Sequence, residues 1–258
     1  MQLTNKVLVL ILCISLFSNC KEKEQKLTEN WIQLFNGKDL TGWVVKINGY
    51  PLNENIHNTF RVENEILKVS YDGYDDFGTS FGHLFYKNPF SNYILRVKYR
   101  FVGEQATGGQ PWATKNSGVM IHSQSPESIG LNQSFPVSLE VQFLGGLDKT
   151  LERPTGNLCT PGMHVEMHGE LITEHCIASS SQTFYGEEWI NVEVEVHSDS
   201  LIIHKINGQE VIKYSKPIFG GEFNTFPKRE GEPVKGGYIS LQSESHPIEF
   251  KNIELLVL

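Results

Sequence analysis

Three short stretches of the chain carry chemically capable side chains at the two-residue spacing of a β-strand. In "NSGVMIHS", Asn116, Gly118, Met120 and His122 fall on one side, and Ser117, Val119 and Ile121 on the other. In "VSLEVQFLGG", Ser138, Glu140 and Gln142 alternate with Leu139, Val141 and Phe143. In "TPGMHVEMHGE", His164, Glu166 and His168 alternate with Met163, Val165 and Met167. Successive strand side chains point to opposite faces, so the apolar sets face a core and the polar sets lie outside. An imidazole beside a carboxylate can divide acid and base work. Asn and Gln amides can hold sugar hydroxyls by paired hydrogen bonds. Asn116, His122, Glu140 and Gln142 would line a groove if their surface is concave, and would otherwise be a solvated face. Two imidazoles flanking a carboxylate also suit a transition metal. Yet Glu193, Glu195 and His197 in "VEVEVH" have the same form as His164, Glu166 and His168, and any half-exposed strand alternates this way. No cofactor is evident, and a divalent metal has no support beyond these ligand types.

Strands must position these residues, because strand patterns fill the chain from residue 31 onward. "YILRVKYRF" sets Tyr93, Leu95, Val97, Tyr99 and Phe101 against Arg96, Lys98 and Arg100. "INVEVEVHS" sets Val192, Val194 and Val196 against charged residues, and "LIIHKINGQEVIKY" holds Asn207-Gly208, a strong hairpin signal. "GYISLQS" turns Gln242 outward, with Ile239 and Leu241 inward. No long helical period or internal repeat appears. Short strands between Gly, Asn and Pro loops predict an antiparallel sandwich or barrel in one domain. The loops at 103–118, 122–136 and 145–162 are long and irregular, as loops that carry function often are. Trp112 lies in the first of them, where it could stack on a sugar face or plug the end of the sandwich.

The chain is mildly acidic, with 22 Lys+Arg against 30 Asp+Glu. Without a basic stripe, nucleic acid is not an expected partner. Residues 1–19 have the layout of a signal peptide: Lys6, then the apolar run "VLVLILCISLF", too short for a mature transmembrane helix. Cys20 directly after the run resembles a bacterial lipoprotein signal, with lipid on its thiol. Residues 20–30 then form a tether and 31–258 the domain, anchored at the cell envelope on the periplasmic or outer-membrane face. In an oxidising compartment Cys159 and Cys176 either form a disulfide or remain two buried thiols.

Six blocks occur in a family's order: "WIQLFNGKDLTGW", "GHLFYKNPFSNYILRVKYRF", "NSGVMIHS", "LEVQFLGG", "INGQEVI" and "GYISLQSESHPIEFKNIEL". Residues 31–258 thereby resemble the 3-keto-disaccharide hydrolase domain. The resemblance implies a concanavalin-like jelly-roll sandwich of two antiparallel sheets, acting on oligosaccharides or glycosides oxidised at sugar carbon 3. A ketone there acidifies the proton on carbon 2; a base removes it, the enolate expels the glycosidic oxygen, and water adds to the enone. That route needs a base and enolate donors, not the opposed carboxylates of an ordinary glycosidase. Gln142 stands where such glycosidases carry a second acid on this strand. Two positions depart from the family's pattern: His122 where Arg is frequent, and Glu244 two places after Gln242 where His is frequent. Within this reading His122 is the base or acid and Glu140 orients it or binds a hydroxyl. Asn116, Gln142, Trp112, Gln242 and His246 hold the sugar, with His175 in reserve. Trp31, Phe35 and Trp43 pack. The alternative is a non-catalytic carbohydrate-binding domain on the same scaffold.

Overall fold

A computed structural model describes residues 30–258. The signal-peptide and lipidation readings, Cys20 included, and the tether up to residue 29 lie outside the described residues. The strands are β1 (Ile32–Gln33), β2 (Trp43–Ile47), β3 (Phe60–Glu63), β4 (Ile66–Val69), β5 (Gly82–Tyr86), β6 (Asn92–Phe101), β7 (Asn116–Ser123), β8 (Leu139–Leu144), β9 (Asn157–Cys159), β10 (Met163–Met167), β11 (Glu170–Ile172), β12 (Cys176–Ile177), β13 (Ile190–His197), β14 (Leu201–Ile206), β15 (Gln209–Phe219), β16 (Tyr238–Ser243) and β17 (Ile248–Val257). They form two antiparallel sheets. A ten-stranded sheet runs β11-β10-β15-β14-β13-β6-β17-β4-β3, with β1 added on β17; a seven-stranded sheet runs β12-β9-β8-β7-β16-β5-β2.

Alternation decides which residues fill the space between the sheets. Tyr93, Leu95, Val97 and Tyr99 of β6 and Val192, Val194 and Val196 of β13 are buried, as their spacing predicts. From the facing sheet come Val119 and Ile121 of β7, Leu139, Val141 and Phe143 of β8, and Ile239 and Leu241 of β16. Tyr99 and Phe143 stack across the gap with ring centres 4.1 Å apart. Each such side chain contributes about 1.5–3 kcal/mol by leaving water. Asn207 and Gly208, both at positive φ, make the turn between β14 and β15. Phe35 and Trp43 are buried, and the Trp43 indole donates to the Leu34 carbonyl, in keeping with a packing role.

One strand departs from strict alternation. In β7, Met120 lies opposite Ser240 but Ser123 lies opposite Tyr238, so Ile121 and His122 face the single residue Ile239. This is a β-bulge, and His122 takes φ +50° within it. His122 therefore leaves the face shared by Asn116, Gly118 and Met120. Its Nε2 hydrogen-bonds the carbonyl of Ser198, in the turn between β13 and β14 of the other sheet.

Candidate active site

The outer face of the seven-stranded sheet carries the groups able to do chemistry. Register sets them side by side: Gly118 opposite Gln142 and Met120 opposite Glu140, then Gln142 opposite Asn157 and Glu140 opposite Cys159. Such cross-strand neighbours stand about 4.5–5.5 Å apart at Cβ. Gly118 has a steric reason to be glycine, since a Cβ there would lie 2.9 Å from Cγ and Oε1 of Glu140. Loops then roof the strands and leave a cavity of about 300 Å³, with Asn116, Glu140, Gln142 and Glu244 on its polar walls. Trp112, Phe135 and Phe223 supply aromatic walls, and the Cys159–Cys176 disulfide and His175 close one side.

The carboxyls set the electrostatics. Glu140 is buried, its Oε1 has no hydrogen-bond partner among the described residues, and burial pushes its carboxyl up to about 8. Glu244 is buried as well. Desolvation, then the nearby Glu140, hold it well above the usual carboxylate range. The Gln242 amide donates to Glu244 Oε1 at 3.0 Å, while Glu244 Oε2 has no partner among the described residues. Among the described residues no Lys, Arg or His forms an ion pair with either. Two like charges cannot both ionise cheaply in such surroundings, so both carboxyls hold their protons toward neutrality and Glu140 is the first to give one up.

The remaining polar groups are arranged around them. Asn157 donates to Gln142 Oε1 at 3.0 Å, which leaves the Gln142 amide N–H groups for a ligand. Asn116 is buried, and its Oδ1 has no partner among the described residues. Trp112 is half exposed at the rim, stacked on Phe81 with centres 5.8 Å apart. It serves as a wall, and not as a buried plug. His175 faces the cavity beside Phe223, and partial burial lowers its pKa.

The structure thus gathers Trp112, Asn116, Glu140, Gln142, His175 and the disulfide of Cys159 and Cys176. Gln242 is fully buried behind Glu244, which it supports. His246 is buried edge-on to Phe101, outside the cavity lining, and neither ring nitrogen has a partner among the described residues. Burial, with Lys115 and Arg153 nearby, holds it down to about 4. His122 is not brought to the cavity; it lines a separate depression with Ser123, Arg229 and Lys235. The His164, Glu166 and His168 set is not assembled either. Glu166 is held by Lys216 at 2.8 Å, and His168 sits exposed at φ +54° in the turn after β10. Among the described residues no three His, Cys, Asp or Glu side chains cluster in a metal-ligating arrangement.

The model of the 3-keto-alpha-glucoside-1,2-lyase-like domain matches residues 30–256. The chain belongs to that family. No curated protein matches it. Among solved structures, it is similar to two proteins from Parabacteroides distasonis provisionally designated glycosyl hydrolases. One is 18% identical, with a TM-score of 0.54 over 89% of this chain and 100% of that one. The other is 20% identical, with a TM-score of 0.53 over 89% and 94%. The exoplasmic/lumenal domain of VIP36, solved with Ca²⁺ and Man3GlcNAc, is 10% identical, with a TM-score of 0.50 over 89% and 91%. At these identities the likeness establishes the jelly-roll fold.

In this 3-keto-glucoside-lyase-like domain, sequence reasoning missed Glu244 as a site residue. Its signal was present: "LQSES" continues the alternation of Gln242, and the departure from the family's His put a carboxyl on the outer face. Phe135, Glu222 and Phe223 also line the cavity, from loops whose sequences carry no period.

Proposed function

We propose that this domain cleaves 3-keto-glycosides by elimination followed by hydration, with the Glu140–Glu244 pair moving the protons. The observation that carries this reading is two adjacent buried carboxyls with no cation among the described residues, walled by amides and aromatic rings. Glu140, the more readily ionised, takes the proton from sugar carbon 2, whose acidity comes from the ketone at carbon 3. Glu244 keeps its proton and delivers it to the departing glycosidic oxygen. The exchange leaves Glu140 protonated and Glu244 ionised. The pair is then set to draw a proton from water adding at carbon 1 and to return one to carbon 2. Asn116 and Gln142 offer amide N–H groups to sugar hydroxyls and to the enolate oxygen. The base is thereby Glu140 rather than His122. Tethering at the cell envelope through a lipid on Cys20 belongs to the same reading.

Trp112 and the amides favour a second reading, a carbohydrate-binding domain without turnover. Incubating the mature protein in D₂O with a 3-keto-glucoside and its unoxidised parent separates them. The lyase reading expects aglycone release from the keto compound alone, with deuterium at carbon 2 of the released sugar. Binding of both compounds with cleavage of neither would leave only the binding domain.

A further inference from the structure

Next to the cavity lies a second, more open depression. Ser128, Asn132, Ser134, Thr225 and Phe226 line it, and it shares Phe135 and Phe223 with the first. The two spaces are thus neighbours across one aromatic partition, whose rings meet edge to face with centres 6.0 Å apart. Phe223 is a bulky residue held at φ +68° and left partly exposed, a conformation that persists only where the surrounding structure enforces it.

Hydrogen bonds brace the 124–137 side of this depression. Gln124 Oε1 accepts from the Val137 amide and from Gln133 Nε2, and Gln124 Nε2 donates to Ser128 Oγ. Gln133 also donates to the Phe135 carbonyl and accepts from the Gly130 amide. Both glutamines are therefore occupied in holding the loop. Asn132 and Thr225 are exposed and Ser134 half-buried, so small polar groups stand along a preformed wall beside phenyl rings.

We infer that this depression is the leaving-group subsite, and that it takes a polyhydroxylated sugar ring. Amide and hydroxyl groups beside aromatic faces match the alternating hydroxyls and C–H faces of a pyranose. A flat apolar aglycone would leave those polar groups without partners. The inference rests on the reading of the adjoining cavity as the place where the keto sugar reacts. A glycosidic bond crossing the Phe135–Phe223 partition sets the keto ring beside Glu140 and Glu244 and the departing ring beside Asn132 and Thr225.

The test uses the mature protein and an Asn132→Ala/Thr225→Ala double variant. For each, kcat/KM is measured on a 3-keto-disaccharide and on methyl 3-keto-glucoside, and the ratio is compared. The ratio does not depend on the fraction of folded protein. Losing two hydrogen bonds should lower the ratio about tenfold. A ratio equal to that of the parent would overturn the subsite. A second arm needs no turnover: free glucose is titrated into ¹⁵N-labelled protein. Shifts at Asn132 and Thr225, lost in the double variant, support the subsite; shifts confined to Glu140 and Gln142 would overturn it. If neither keto compound is cleaved, the reaction fails while the titration still decides the subsite.

Discussion

The outer faces of the two sheets are built from the same residue types and behave oppositely. On the ten-stranded sheet the central carboxyls Glu193, Glu195 and Glu249 are each paired with a cation. Glu193 meets Arg96 at 2.8 Å and Lys205 at 3.0 Å, and Glu195 meets Lys205 and His197 at 2.8 Å each. Trp31 lies under the Arg96 guanidinium, and Trp189 under Arg100 and Lys251. On the seven-stranded sheet Glu140 and Glu244 are buried without a cation among the described residues, and Lys46 is directed away to three backbone carbonyls. The first face holds ionised carboxyls in water; the second keeps proton-bearing carboxyls under a roof. A surface that leaves carboxyls buried and unpaired sacrifices stability, and such places are where function is to be sought.

The sharpest way to break this contrast is to remove one carboxyl oxygen from each face. Glu140→Gln should lower the rate on a 3-keto-glucoside by 10²-fold or more, the scale of a lost general base. It should also raise the urea midpoint at pH 8, because a neutral amide replaces a group that must ionise against burial. Parallel kinetics and urea melts check both. Full activity in Glu140→Gln would return the base to another group, His175 first.

Next in size is the disulfide. Cys159 and Cys176 are 17 residues apart and join β9 to β12, a two-residue edge strand whose neighbour in sequence is His175. Reduction, or Cys159→Ser with Cys176→Ser, should cost about 3 kcal/mol on the chain-entropy view, read from urea midpoints. The bond and His175 wall one side of the cavity, so its loss should slow cleavage as well as destabilise the fold.

Much of the architecture was legible because burial in a sandwich follows a period of two. That period put Glu140, Gln142 and Asn116 on one outer face and Tyr99 and Phe143 in the core. It misplaced His122, because the bulge at Ile121 and His122 has no glycine or proline to mark it. Alternation also cannot say whether a polar face is roofed. Glu140 and Glu193 read alike in the sequence, and their difference comes from loops at 124–138 and 220–237 whose shape rests on scattered hydrogen bonds. The cavity's edge residues Phe135 and Phe223 were illegible for that reason.

The pH dependence sharpens the contrast further. His83, His204 and His246 are buried and held down to about 3, 4 and 4. The folded state then binds fewer protons than the unfolded state below about pH 6.5, and stability falls on acidification. Glu140 and Glu244 are raised, so the folded state binds more protons above the usual carboxylate range, and stability falls as pH rises toward 8 and beyond. A maximum near pH 6.5 follows, with a loss of about 2 kcal/mol from Glu140 by pH 8 and a further loss from Glu244 in the same direction. Urea midpoints across pH 4–9 test this, and Glu140→Gln should flatten the alkaline limb alone. Activity should move the other way, rising with pH through about 8 as Glu140 ionises.

The smallest effect is expected on the paired face. Glu193→Gln breaks contacts with Arg96 and Lys205, but those groups stay hydrated and Glu195 still holds Lys205. Exposed ion pairs contribute about 0–1 kcal/mol, because desolvation and side-chain ordering offset the attraction. Glu193→Gln should therefore lower the unfolding free energy from urea melts by less than about 1 kcal/mol, lose even that change at high salt, and leave the pH maximum in place. A larger, salt-resistant loss would mean that the ion-paired face also bears weight in the fold, and the distinction between the two faces would then rest on cation pairing alone rather than on burial.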